Sequence, residues 1–420
     1  MRTRLPLLGL LAIDLALSGP IRNDIQAQSA APSNAKAGAM HASSPSGVAS
    51  KRAEKKKGWR VSPALVANAE FDNNVFLLSA GKKDNLTNPS AGEVVSGRYA
   101  DMESASDLLT TLSAGLAVKG PGLFGRSSQL VPEVAYELYT RNTERSNVSL
   151  GLSLQQELSA GSHVRLSGQL TPSYFARNYM TDAIDQDLSG SITPEERVYE
   201  RGEYRETQVG ADYRVRLMKA GRRHPAGASL QLGGGYYSRS YDPALRGRDL
   251  KGPALTTRLL LDFGQRLSLN LGYEYSSLGA TRSNQVLLVD EPDVGQDVNG
   301  NGNATDLEAR ALTMVDRSRR EHSLNASLQI EPRKSVELSL GYEHRWRRYT
   351  SQESLDVVNR GRRDARDQLA ADARFRVARN LRLRIGGVHS VQNLNRTGDP
   401  AGEIDDYTRS QARLGLSYQL

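Results

Sequence analysis

From Trp59 onward, apolar and polar residues alternate along the chain with a period of two. Val148, Leu150, Leu152 and Leu154 interleave with Ser149, Gly151, Ser153 and Gln155, and Val164, Leu166, Gly168 and Leu170 with Arg165, Ser167, Gln169 and Thr171. Leu255, Thr257, Leu259, Leu261 and Phe263 form another such face, and Leu267, Leu269, Leu271, Tyr273 and Tyr275 follow across a tight turn at Gly264 and Gln265. Further runs occur at 324–330, 336–342, 369–377 and 381–385. Successive side chains of an extended strand point to opposite faces, so each run predicts a strand with one apolar and one polar face. Such segments begin near residues 59, 106, 128, 146, 162, 203, 227, 253, 266, 319, 335, 366, 381 and 407. They predict an all-β fold, a transmembrane antiparallel up-and-down barrel of about fourteen strands, an even number as single-chain bacterial barrels require.

The connections alternate in length as well. Short ones are expected at 119–125, 158–162, 220–226, 264–265, 331–335 and 379–380, and long ones at 73–105, 181–201, 241–252, 278–317, 350–365 and 393–406. One connection, 141–146, is short where a long one is due. Short turns at one end and long external loops at the other are the rule for membrane barrels. A soluble β-sandwich or solenoid would not need that agreement of parity and loop length. With the first and last strands starting and ending on the periplasmic side, every long loop falls outside the cell.

Composition narrows the class. Hydrophobic residues make up only 38%, Tyr (17) outnumbers Phe (6) and Trp (2), and the formal charge is +8 with 24% charged residues. A barrel tolerates this because only one face of each strand meets lipid. No internal run approaches the roughly 20 apolar residues that a spanning helix needs. The absence of cysteine excludes disulfides, thiolate metal sites and cysteine nucleophiles. Residues 1–29 are expected to be a cleavable signal peptide, with Arg2 and Arg4, an apolar stretch at 5–13 and small residues at 27–30. Asp14 interrupts that stretch, and a short buried helix is the alternative. Residues 30–57, rich in Ala, Ser, Gly and Lys, are expected as a disordered periplasmic leader. Its basic run, Lys51, Arg52, Lys55, Lys56 and Lys57, is read as a solvated tail, with no nucleic-acid partner. The barrel then occupies 58–420.

The last strand places Ala412, Leu414, Leu416, Tyr418 and Leu420 on one face. The tail Arg413-Leu-Gly-Leu-Ser-Tyr-Gln-Leu420 resembles the C-terminal β-signal of Gram-negative outer-membrane barrel proteins, with Arg413, Gly415, Tyr418 and Leu420 at its marked positions. Leu420 stands where that family usually ends in Phe. The resemblance implies a multi-pass protein of the outer membrane, recognised by the barrel assembly machinery, with its N-terminus periplasmic and outer-membrane lipid around it. The stretch from Trp59 to Phe76, with Pro63 and Asp72-Asn-Asn-Val-Phe76, is similar to the opening strand of porin-type barrels. Tyr174, Tyr236, Tyr275, Trp346 and Tyr349, near strand ends, fit the aromatic girdles of such barrels.

Two external loops carry oxygen-rich patterns. Asp185-Gln-Asp-Leu-Ser-Gly-Ser-Ile-Thr-Pro-Glu-Glu196 resembles the EF-hand calcium loop. By that resemblance Asp185, Asp187 and Ser189 donate side-chain oxygens, Gly190 makes the turn and Ser191 gives its carbonyl. Thr193 acts directly or through water, Glu196 closes bidentate, and Ile192 takes the apolar position. A second copy, Asp297-Val-Asn-Gly-Asn-Gly-Asn-Ala-Thr-Asp-Leu-Glu308, would use Asp297, Asn299 and Asn301, the Asn303 carbonyl, Thr305 and Glu308 around Gly302. Asn at 299 and 301 brings less charge than Asp, so weaker binding is expected there. The loops sit between strands, without flanking helices. The implied role for calcium (Ca2+) is to order long loops over the barrel mouth.

The polar face should point into the lumen. It carries Arg165, Arg214, Arg216, Arg258, Arg345, Arg347, Arg374, Arg376, Arg382, Arg384 and Arg413, with Glu137, Asp212, Glu274, Glu337, Glu343 and Asp372. Two readings follow: a pore whose fixed positive charge favours small anionic solutes, or a lumen closed by arginine–acid pairs. The first makes the chain a porin-like channel and the second a surface receptor or adhesin. A calcium-dependent outer-membrane hydrolase is a third reading, but no hydrolase, nucleotide, zinc or haem motif is present. His322, His344 and His389 fall on the lipid face, and their neighbours Ser323 and Ser390 on the opposite one, so no enzyme is expected.

Overall fold

The computed structural model describes residues 58–90, 94, 97–183, 197–219, 226–264, 266–280, 316–352, 356, 359–395 and 406–419. Fourteen strands close into one antiparallel barrel in which each pairs with its neighbours in sequence and β1 pairs with β14. They are β1 (Arg60–Asp72), β2 (Asp107–Pro121), β3 (Ser127–Tyr139), β4 (Asn147–Ser159), β5 (Ser162–Ala183), β6 (Arg197–Met218), β7 (Ala226–Tyr241), β8 (Leu250–Phe263), β9 (Leu267–Ala280), β10 (Arg319–Arg333), β11 (Val336–Tyr349), β12 (Arg363–Arg376), β13 (Leu381–Leu394) and β14 (Tyr407–Gln419). The expected strand count and the expected starts agree with this within a few residues, except that β6 begins earlier. The closing register runs from Ala64 opposite Gln419 to Asp72 opposite Gln411. Leu420 and the expected signal peptide and leader (1–29 and 30–57) lie outside the described residues.

Alternation holds around the ring. Leu255 is 61% exposed and Leu340 56%, and Leu65, Leu112, Leu152, Leu369 and Leu414 are similarly bare on the outer surface. Burial of such side chains is worth about 1.5–3 kcal/mol each, so a full belt of them left in water would be costly and one left in lipid is not. The short connections lie at the end where β1 begins and β14 finishes, and the long ones lie at the other, together with the short link between β3 and β4. Gly264, with φ of 71°, makes the tight turn after β8, and Gly125, with φ of 67°, the one before β3. A left-handed backbone costs glycine little, which allows turns this short.

The loop end folds inward. Asp72, Asn73 and Asn74, the polar start of the Asp72-Asn-Asn-Val-Phe76 segment, turn the chain out of β1 and fasten it to β14. Asp72 accepts from Arg409 and, at 2.9 Å, from the Asn74 N–H. The Asn74 amide donates to the carbonyls of Leu78 and Thr408, and the Ser410 N–H donates to Asn73 Oδ1. Val75, Phe76, Leu78 and Met102 then pack against Leu109, Tyr139 and Phe175 from the strands. A short helix α1 (Ala80–Thr87), capped by Ser79, continues this loop. The Asp107 carboxylate holds the next loop by accepting from the N–H groups of Thr140, Arg141 and Asn142 and from the Asn142 side chain, at 2.8–3.0 Å. Further out, Arg201 of β6 bridges Asp101 and Glu144.

β5 and β6 are the longest strands, with 22 residues each. Their pairing shifts register between Thr171 and Tyr174 and again between Phe175 and Asn178. Such bulges swing the side chains that follow to the other face. Residues 174–179 are consequently all buried.

Asp107→Ala leaves several buried donors without an acceptor. It should lower stability by about 3 kcal/mol, read as a lower unfolding temperature of the purified barrel, and should make the 140–146 connection the first site of protease cleavage. Unchanged melting and cleavage would contradict the role assigned to Asp107.

Candidate functional site

All the arginines expected on the polar face project into the lumen, in step with the outward leucines of their strands. The lumen divides into two halves. Toward the short-turn end the inward side chains are only partly covered: Arg165, Arg214, Arg258, Arg374, Arg382 and Arg384 are half-buried, and Arg216 and Arg376 are exposed. Here Arg374 faces Arg384 and Arg376 faces Arg382 in register. Glu337 pairs with Arg374, and Asp372 takes Arg384 through two hydrogen bonds of 2.8 Å. This vestibule is polar and keeps an excess of guanidinium.

Toward the loop end the lumen is packed. Arg345 and Arg366 share Glu343, Arg319 and Arg347 share Glu321, and Arg362 is bidentate on Asp364 at 2.7 and 2.6 Å. Arg413 pairs with Glu70 across the closing seam. Pairing of this kind offsets the large desolvation cost of a buried ion without making the pair a net source of stability. Arg345, Arg347 and Arg413, expected as lining, therefore sit against carboxylates, although Glu343 and Glu321 each serve two guanidinium groups and leave those clusters a net positive charge.

A block of tyrosine and arginine fills the rest. Arg145 is 0% exposed, in a 3-10 turn (Thr143–Arg145) after β3. It donates to Tyr174 and to the Ala176 carbonyl, and lies 4.6 Å from the ring centre of Phe76 and 5.4 Å from that of Tyr139. Tyr174, Tyr204 and Tyr241 follow one another at ring separations of 5.1 and 5.2 Å, and Tyr179 meets Tyr241 edge-on at 5.9 Å. Arg239 covers Tyr204 at 4.1 Å and Arg248 covers Tyr179 at 3.9 Å. Glu206 collects Arg239, the Tyr237 hydroxyl and Gln208, each at 2.9 Å. Cation–π contacts strengthen when desolvated, as here. Above the block, burial holds the Lys83 ammonium of α1 below its ordinary pKa, against the opposing pull of Asp72.

Two expectations are corrected. Tyr174 and Tyr349, read as girdle residues, are buried inside the barrel. The β5 bulges turn Tyr174 inward, and Tyr349 shares the face of Arg345 and Arg347. Tyr236, Tyr275 and Trp346 do face outward. There Trp346 stacks on His322 with 3° between the planes, and Tyr273 meets His322 Nδ1 at 2.8 Å. His344 Nδ1 lies 2.8 Å from Asp367, and His389 Nδ1 2.9 Å from Ser410. Ser323 and Ser390 are buried on the inward face, away from His322 and His389. The stopper residues Arg145, Arg239 and Arg248 were missed from the sequence. The alternation Tyr237-Ser-Arg239-Ser-Tyr241 was the available sign for one of them.

The calcium-type loops, with Asp185, Asp187, Ser189, Ser191, Thr193 and Glu196, and Asp297, Asn299, Asn301, Asn303, Thr305 and Glu308, lie outside the described residues. Among the described residues no group of three or more His, Asp or Glu is arranged to hold a metal.

No family model and no curated protein matches the chain. Among solved structures it is similar to the outer membrane channel DcaP of Acinetobacter baumannii, with 8% identity over 86% of this chain and 97% of that one and a TM-score of 0.40. The outer membrane protein OprD of Pseudomonas aeruginosa gives 10%, 86%, 93% and 0.36. An anion-selective porin from Comamonas acidovorans gives 11%, 86%, 99% and 0.35.

Arg239→Ala strands the buried Glu206 carboxylate and should cost about 3–5 kcal/mol. Adding Glu206→Gln should recover most of that loss. Thermal melting of both variants checks this, and equal melting points for the two would refute the pairing as the cause.

Proposed function

We propose that the chain spans the outer membrane of a Gram-negative bacterium as a porin-like channel for small, preferentially anionic solutes, with the loop end outside. The observation that carries this reading is the division of every strand into an apolar outer face and a polar inner one, together with the excess of arginine in the vestibule. Fixed positive charge there lowers the barrier for anions entering from the short-turn end. Passage requires the Arg145–tyrosine stopper to shift. That packed half also favours a second reading, a closed barrel whose loops bind a surface ligand.

Calcium ordering of the two long loops belongs to the same proposal. Ala183 pairs with Arg197, so the ends of the first loop meet. The Ala280 N–H donates to the Ser318 hydroxyl at 2.9 Å, which joins the ends of the second. Loops closed in this way suit a cation gathering oxygens from one short segment, and the carboxylate and amide donors match calcium's preference. Binding at about 10⁻⁴ to 10⁻³ M would serve outside a cell.

Planar-bilayer recording tests the channel. Small steps with anion preference are expected, growing larger in Arg145→Ala, which removes the cation at the centre of the stopper. Cation preference, or ligand binding with no conductance in either protein, would sink the channel reading. Calcium at about 1 mM should protect the loops spanning 184–196 and 281–315 from protease, and Glu196→Gln should abolish protection of the first alone.

A further inference from the structure

The outer surface carries one feature that a channel does not use. On three neighbouring strands, Arg320 of β10 stands directly opposite Arg348 of β11, which stands directly opposite Arg363 of β12. All three are exposed, and each belongs to the outward set of its strand. None makes an ion pair with a described residue. Asp367, the described outward acid on β12, is taken up by the Tyr342 hydroxyl and His344. Directly opposed side chains on an antiparallel pair lie about 5 Å apart, and like charges so placed oppose folding. Among the described residues the row has no counter-charge, so three guanidinium groups placed in this way form a ready site for an anion from the surroundings.

The height of the row says which anion. The next residues inward on the same face, His322 and Trp346, form a stacked pair with Tyr275 beside it. Below them Leu324 and Leu369 share the next two levels with His344, Asp367 and Tyr342, and the face turns wholly apolar at Leu340 and Leu338. In the membrane orientation proposed above, on which this inference rests, the aromatic layer marks the edge of the hydrocarbon. The arginine row lies one step further out, about 7 Å along the strands, where lipid headgroups begin. A planar guanidinium matches a phosphate bidentately. We infer that Arg320, Arg348 and Arg363 form a binding site for the phosphate groups of an outer-leaflet lipid, with the His322–Trp346 stack seating its upper chain region.

The full chain reconstituted in phosphatidylcholine vesicles, with and without bis-phosphorylated lipid A, tests this. Lipid A should raise the unfolding temperature of the wild type. The concentration giving half the rise should increase about fivefold for each arginine changed to Gln. Arg348→Glu provides an independent readout, because it places an acid between two arginines. It should melt above the wild type in phosphatidylcholine alone and should lose the response to lipid A. A wild type that does not respond, or a triple Gln variant that responds fully, overturns the site. The same shift from inorganic phosphate at equal phosphate concentration overturns the lipid as its occupant. A chain that fails to co-float with the vesicles overturns the membrane reading itself, which is a separate result from co-flotation without a lipid A response.

Discussion

The backbone N–H and C=O groups of every strand must find partners, and only a closed ring of strands leaves no unpaired edge. The whole structure rests on that requirement being met at the β1–β14 seam. Thirteen of the fourteen strand contacts join strands that follow each other in sequence, and only the seam joins the two ends. Its backbone register is reinforced from inside, where Glu70 takes Arg413 and Gln411, and Asp72 takes Arg409 and Gln411. The first loop is folded from the same point, since Asn73 and Asn74 bond to β14 as the chain leaves β1. Closure of the ring and closure of the mouth are thus fixed by one short stretch of side chains.

The interior solves a second problem, that of placing many arginines in a narrow space. In the loop half, carboxylates shared between two guanidinium groups and the faces of tyrosine rings take up the charge. In the turn half, solvent takes up part of it, and the arginines there outnumber the acids beside them. The barrel is therefore not a uniform tube. It has a partly exposed, positive half at the turn end and a dense half at the loop end in which arginines are held by carboxylates and tyrosine rings.

Much of this was legible in the sequence. Period-two alternation gave the strand count, the inward arginines and the end at which the long connections lie, because a strand has only two faces. What stayed hidden depends on contacts distant in sequence or on breaks in the period. Tyr174 left the expected face because the β5–β6 pairing slips between Thr171 and Tyr174, and nothing in a list of alternating residues announces a slip. Tyr349 was misplaced for a different reason. Aromatic residues near strand ends fit both a girdle and an inner packing block, and only the shared face with Arg345 and Arg347 decides between them. The inward fold of the 73–106 connection depends on Arg145 meeting Phe76 and on Asp107, at the start of β2, meeting Asn142, pairs whose members are distant in sequence. The cross-strand row of Arg320, Arg348 and Arg363 was equally invisible, since it exists only once the register of three strands is known.

The seam also governs how such a molecule can be made. The Gln411–Glu70 hydrogen bond spans a sequence separation of 341 residues. Contacts that distant form late, because the entropy of closing so long a stretch of chain must be met before they contribute. Until β14 arrives, the growing sheet presents two unpaired edges, each a template for the wrong partner. The kinetic hazard of this barrel lies in the interval before its last strand docks, and the charges of Glu70 and Asp72 on the waiting β1 edge, matched by Arg409 and Arg413 on the incoming β14, make non-specific pairing there less favourable than pairing with each other.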